Sequence, residues 1–129
     1  MCIRLALLGE MMALRVGMGS EKGSKVVRLL VDTGSAYTVL RPDFLEEMGC
    51  GVDRAVRHVK VVTAGGVIRA PIVVLPWINC LGQRFENVPV MAHSVSFGTF
   101  TSGLLGIDLM RRCDAVIHTR RAEIWLGRG

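Results

Sequence analysis

Asp32, Thr33, Gly34 and Ser35 follow directly on the β-branched run "KVVRLLV" of residues 25–31. A carboxylate abutting a buried strand is costly unless neighbouring groups satisfy it, so its position there calls for a use. Hydrolysis of a peptide bond without a metal or a covalent intermediate needs two groups. One takes a proton from water and the other gives one to the carbonyl oxygen. Two carboxylates sharing a single proton can do both. The chain offers one Asp-Thr-Gly, at residues 32–34. Asp108, in Gly106-Ile107-Asp108, lacks the Thr-Gly that would shape a matching loop.

Short apolar runs separated by turn residues surround this loop and predict an all-β domain. Residues 17–25, "GMGSEKGSK", read as a loop or hairpin turn, and the N-terminal "MCIRLALLGEMMALRVG" as a first strand. Residues 58–74 read as two strands about Gly65-Gly66, the composition of a tight hairpin tip. A second hairpin, residues 77–92, turns near Gly82, and strands return in "DAVIH" and "AEIWL". Helix is expected in two places. Residues 41–49 carry Pro42 near the start, acids in the first turns and Gly49 as a stop. Residues 107–113 add a turn or two with Arg111 and Arg112 at the C-terminal end. Nothing divides the chain, so residues 1–129 form one domain.

Asp-Thr-Gly-Ser behind its apolar strand, together with "GLLGIDLM" at residues 103–110, resembles the retropepsin-like aspartic proteases, the single-domain, retroviral-protease-like members of clan AA. The likeness extends to the "TVL" strand after the loop and the glycine-tipped hairpin midway. It implies a closed β-barrel or sandwich with one or two short helices, acting as a homodimer. A two-lobed single-chain protease needs about twice this length. The second aspartate therefore comes from a second copy, which a two-fold axis sets against the first. The resemblance further assigns the Thr33 hydroxyl to a hydrogen bond across that axis. Ser35 is placed to donate to the outer oxygen of Asp32. Gly34 lets the loop turn tightly and bring N–H groups near the carboxylate. Leu105 and Gly106 support the loop from behind. Thr63, Ala64, Gly65 and Gly66 form a flap over bound peptide, departing from the retroviral pattern in a longer connection.

Composition removes several other functions. The chain carries 16 Lys+Arg against 11 Asp+Glu, a net charge of +5, but the basic residues are scattered. Aromatics at 5% are too few for a base-stacking platform, so a nucleic-acid partner is not expected. Cys2, Cys50, Cys80 and Cys113 form no CxxC pair, and His58, His93 and His118 are as dispersed. Zinc-ligand spacing is absent, and neither metal nor cofactor is expected. The cysteines read as reduced, mostly buried thiols. The histidines show no triad logic, and the seven methionines read as core or interface filler. No apolar run reaches the length of a membrane span. A mean hydropathy of +0.41 is high for a small monomer, which favours an oligomer.

The expected activity is thus aspartic endopeptidase, with a peptide or protein as substrate and water activated by two Asp32 carboxylates. The alternative keeps the fold without the catalysis, as a dimerisation or peptide-binding module. The compartment stays open between cytoplasm and an exported or membrane-associated form whose anchor has been lost.

Overall fold

The computed structural model describes residues 1–63, 65–94 and 101–127. Its larger sheet begins with a hairpin of β2 (Ala6–Leu8) and β3 (Met11–Ser20), turned at Gly9, whose φ is +64°. β3 then pairs along its length with β4 (Gly23–Val31), from Ala13↔Leu30 to Ser20↔Gly23. Alternation does the sorting here: Leu14, Val16 and Met18 are buried while Arg15 is exposed.

The loop expected over residues 17–25 shrinks to a turn at Glu21 and Lys22. Gly17 and Gly19 are strand residues. A Cβ on Gly19 would run into the Trp77 ring, so this glycine marks a close approach and not a loop. The N-terminal segment likewise divides: β1 (Cys2–Arg4) precedes β2 and belongs to a different sheet.

After β4 come β5 (Val39–Leu40) and α1 (Pro42–Glu47). Pro42 opens the helix with its φ already set, Asp43 sits in the first turn, and Gly49, at φ +74°, follows its end. Phe44 and Leu45 are its buried face. A 3-10 turn, Val52–Arg54, leads into β6 (Arg57–Thr63), which pairs antiparallel with β7 (Gly66–Cys80). β7 is one strand of 15 residues, joining what the sequence divides between two hairpins. Its first half pairs with β6, its second with β3, and most of it with β8 (Gln83–Ala92). The turn between β7 and β8 puts Leu81 and Gly82 at positive φ, as expected near Gly82.

The chain closes through β9 (Gly103–Leu105), α2 (Ile107–Arg112), β10 (Ala115–His118) and β11 (Glu123–Leu126). The larger sheet runs β2-β3-β4-β9-β5-β8-β7-β6, with an additional β3–β7 pairing, and the smaller runs β1-β11-β10. A mostly β fold with two short α-helices is thus borne out. Met18, Leu29, Leu40, Leu75, Ile78, Leu105, Leu109 and Ile124 are fully buried in the main core. A second cluster of Val39, Ala70, Ile72 and Met91 packs beneath the β6–β7 hairpin. Among the described residues no helix is long and apolar enough to cross a membrane.

Candidate active site

The Asp32 loop exists because β9 inserts between β4 and β5. β9 runs parallel to β4, with Val31 opposite Leu105, and antiparallel to β5, with Val39 opposite Leu104. Residues 32–38 must therefore arch over the end of β9. Two backbone bonds pin the arch: Asp32 N–H donates to the Leu105 carbonyl at 3.0 Å, and Ile107 N–H to the Ser35 carbonyl at 2.8 Å. Three backbones crowd at this point, which explains the glycines on either side of Leu104-Leu105. A Cβ on Gly103 would collide with the Val39 carbonyl, and one on Gly106 would lie 2.5 Å from the carbonyl carbon and oxygen of Tyr37. Leu105 is fully buried beneath the loop.

Inside the arch, Gly34 N–H donates to Asp32 Oδ1 at 2.9 Å and Ser35 N–H to the Asp32 carbonyl at 3.2 Å. Gly34 does not adopt a positive φ. Its small size matters for approach, since a Cβ would sit 3.3 Å from Asp32 Oδ1. The Ser35 hydroxyl does not donate to Asp32 as expected. It donates to the Tyr37 carbonyl at 2.6 Å, the nearer acceptor once the loop has turned. Thr33 is exposed, and among the described residues its side chain has no hydrogen-bond partner.

The sequence reading missed what braces the far side of the arch. Asp108 Oδ2 accepts from Thr38 N–H at 3.0 Å and Oδ1 from the Thr38 hydroxyl at 2.9 Å. That hydroxyl oxygen accepts in turn from Gly106 N–H at 3.1 Å. Thr38 is fully buried, so its polar groups need these partners. The one sequence signal was a threonine in an otherwise apolar "TVL" strand, with an aspartate opening α2.

A cleft of about 620 Å³ joins Asp32, Gly34 and Ser35 to Tyr37, Val39, Val59, Val61, Ile68, Met91 and Leu104. Its walls are mostly apolar, and Asp32, Lys60 and His93 all border it. Arg57 reaches Tyr37 Oη at 3.5 Å. The expected hairpin is present, and its register runs to Thr63↔Gly66, with Gly66 at φ +120°. Strand residues of this hairpin share the cleft with Asp32; Gly65 and Gly66 do not line it. Ala64 lies outside the described residues.

Among the described residues no group of three His, Cys, Asp or Glu side chains could hold a metal ion. Cys2 is exposed, and Cys50, Cys80 and Cys113 are free thiols in the interior. Burial, with Cys113 and Asp108 nearby, pushes the Cys80 thiol up to about 12.

The fold resembles that of a retropepsin-like aspartic protease from Rickettsia conorii, with a TM-score of 0.68 at 18% identity over 96% of this chain and 86% of that one. It also resembles the EIAV protease in complex with the inhibitor HBY-793, with a TM-score of 0.58 at 15% identity over 88% of this chain and 97% of that one. No curated protein matches the sequence. The sequence model of a family described as aspartyl protease matches residues 16–109, from within β3 to within α2, and so takes in the whole Asp32 arch. A match of that extent makes the kinship plain: this chain is a member of the aspartyl protease family, with a retropepsin-like fold.

Proposed function

We propose that the protein is an endopeptidase whose active site forms between two copies of the chain, each supplying Asp32. The observation that carries this reading is the single Asp-Thr-Gly arch, with Asp32 lining a mostly apolar cleft and its Thr33 hydroxyl exposed and unpartnered among the described residues. One arch has one acid. A two-fold axis beside Thr33 supplies the second, and the two threonines bond across it. The additional β3–β7 pairing supports a closed barrel as the body of each subunit.

The pair holds one proton between two carboxyl groups. The ionised carboxylate takes a proton from water, whose oxygen attacks the peptide carbonyl carbon, while the protonated partner gives its proton to the carbonyl oxygen. The tetrahedral diol then collapses. A diol proton returns to one carboxylate, the amide nitrogen gains a proton from the other carboxyl group, and the C–N bond breaks. The pair is left with one proton, ready for the next turn. Gly34 N–H, bonded to Asp32 Oδ1, holds the carboxylate plane through the cycle. The apolar walls seat the side chains beside the scissile bond. The β6–β7 hairpin covers them as a flap whose tip includes Thr63, Ala64, Gly65 and Gly66. In this reading Ser35 positions the loop through Tyr37 and takes no part in proton transfer.

Asp32→Asn tests the proposal, because the amide cannot act as a base. Hydrolysis of a peptide library should vanish while sedimentation still shows a dimer. Wild-type activity should fall faster than linearly on dilution, since each site needs two chains. Retained turnover in Asp32→Asn, or a fully active monomer, would overturn the shared site.

A further inference from the structure

The outer face of the β6–β7 hairpin carries an arrangement that neither the fold nor the proposed chemistry requires. Lys60 and Arg69 are direct cross-strand partners, and both are exposed. Like charges set opposite each other on a sheet repel and destabilise the pairing. Nothing nearby relieves them: residues 57–72 contain no Asp or Glu, and among the described residues neither side chain forms an ion pair. The next row toward the tip is apolar. Val62 faces Val67, with 82% and 63% of their surfaces exposed. Lys60 and Val62 also border the cleft that holds Asp32.

We propose that this face selects acidic substrates, and that Lys60 and Arg69 are specificity-determining residues. The preferred segment pairs an acidic residue with an apolar one two positions away. The two rows on the hairpin are two residues apart, about 7 Å along a strand, and an extended peptide repeats at the same spacing on one face. The acid meets Lys60 and Arg69 and offsets their repulsion, while its apolar neighbour covers Val62 and Val67. A nucleic acid would supply the charge equally well. However, residues 57–72 contain no Phe, Tyr or Trp on which a base could stack, and the exposed valines would go uncovered.

This inference rests on the peptidase reading, so its test is built to fail separately. Binding is measured in the non-cleaving Asp32→Asn dimer by fluorescence anisotropy. The probes are two labelled peptides that differ only in Glu or Gln placed two residues from a leucine. The Glu peptide should bind about tenfold more tightly at low salt, with the advantage shrinking as salt rises. In the same background Lys60→Glu should erase that preference. It should also raise Tm by about 2 °C, because a carboxylate opposite Arg69 replaces a repulsion with an attraction. Lys60→Gln/Arg69→Gln serves as the second variant and should erase the preference with a smaller rise in Tm, because it removes the repulsion without adding an attraction. Equal binding of the Glu and Gln peptides would overturn the proposal, as would a preference that survives both variants. Tighter binding of single-stranded oligothymidylate than of the Glu peptide would do so too. A protein that cleaves nothing but still prefers the Glu peptide would instead sink the peptidase reading alone.

Discussion

Replacing Asp108 with alanine separates the two carboxylates that a sequence reader must choose between. Among the described residues the Asp32 side chain accepts one bond, from Gly34 N–H, whereas Asp108 accepts two, both from the fully buried Thr38. Asp108→Ala removes two charge-assisted bonds, each worth about 1.5–3 kcal/mol net, and leaves the Thr38 N–H and hydroxyl without their acceptor. Asp108 is itself half-buried, so water enters the vacated space and returns part of that loss. A net cost of about 2–3 kcal/mol follows. That is a substantial part of the roughly 5–15 kcal/mol that holds a domain together, and it lowers Tm by roughly 10 °C.

Asp108→Asn should be milder, for a reason visible in the bond directions. The amide oxygen still accepts from Thr38 N–H. The amide nitrogen then donates to the Thr38 hydroxyl oxygen, whose second lone pair already takes Gly106 N–H. Only the hydroxyl proton loses its acceptor, so the cost is about 1 kcal/mol. Thermal unfolding followed by circular dichroism, at one fixed protein concentration, measures both variants, and kcat/KM on one peptide is read beside it. Activity should fall with the loosened arch, more in alanine than in asparagine. An alanine variant within about 0.5 kcal/mol of wild type, or an asparagine variant as damaged as alanine, would refute the brace.

Four other outcomes follow from the same geometry. Gly106→Ala should cost about 3 kcal/mol or more in urea unfolding, because the new Cβ meets the Tyr37 backbone at 2.5 Å, and backbone cannot swing aside as a side chain would. Ser35→Ala should cost about 1 kcal/mol yet leave the pH–kcat/KM profile in place, since the hydroxyl donates to Tyr37 and not to Asp32; a shifted profile would show that it tunes the acid. With a thiol reagent at pH 8, Cys2 should react at once and the three buried cysteines only on unfolding. The Cys80 thiol ionises near 8.5 in the unfolded chain but is pushed up to about 12 in the folded one. The folded state therefore keeps the proton longer. That contribution to stability is intact below the unfolded value and drains away as pH rises toward 12. Urea midpoints should accordingly decline from pH 9 upward.

What could be read in the sequence was local. The β4 run ending at Asp32, Pro42 at the start of α1, and the two-strand pattern about Gly65-Gly66 all depend on neighbours in the chain, and each was legible there. What escaped depends on partners far along it. Asp108 braces Thr38 from 70 residues away, and Gly19 lies in a strand because Trp77 crosses it. Ser35 was misread for a subtler reason. The hydroxyl donates to the Tyr37 carbonyl two residues on, an acceptor that only the turn of the arch brings to it. Local hydrogen bonds of that kind compete closely, and no spacing rule ranks them.

The same distinction explains why Gly-Leu-Leu-Gly strengthens an Asp-Thr-Gly that is weak alone. None of its four side chains does chemistry. Gly103 and Gly106 are the two points where the Val39 and Tyr37 backbones press against β9, and Leu105, fully buried, turns its carbonyl to Asp32 N–H. The segment is a mould for the arch: it is what an aspartate loop needs behind it if the loop is to be held and not merely capped. An Asp-Thr-Gly in an ordinary turn satisfies its own carboxylate locally and needs no strand threaded between the strands on either side of it. Finding both segments in one chain, at a separation that lets β9 lie parallel to β4 and antiparallel to β5, amounts to finding a rigid seat for one acid. A seat of that kind fixes where the acid points, and Thr33 at its rim is left exposed.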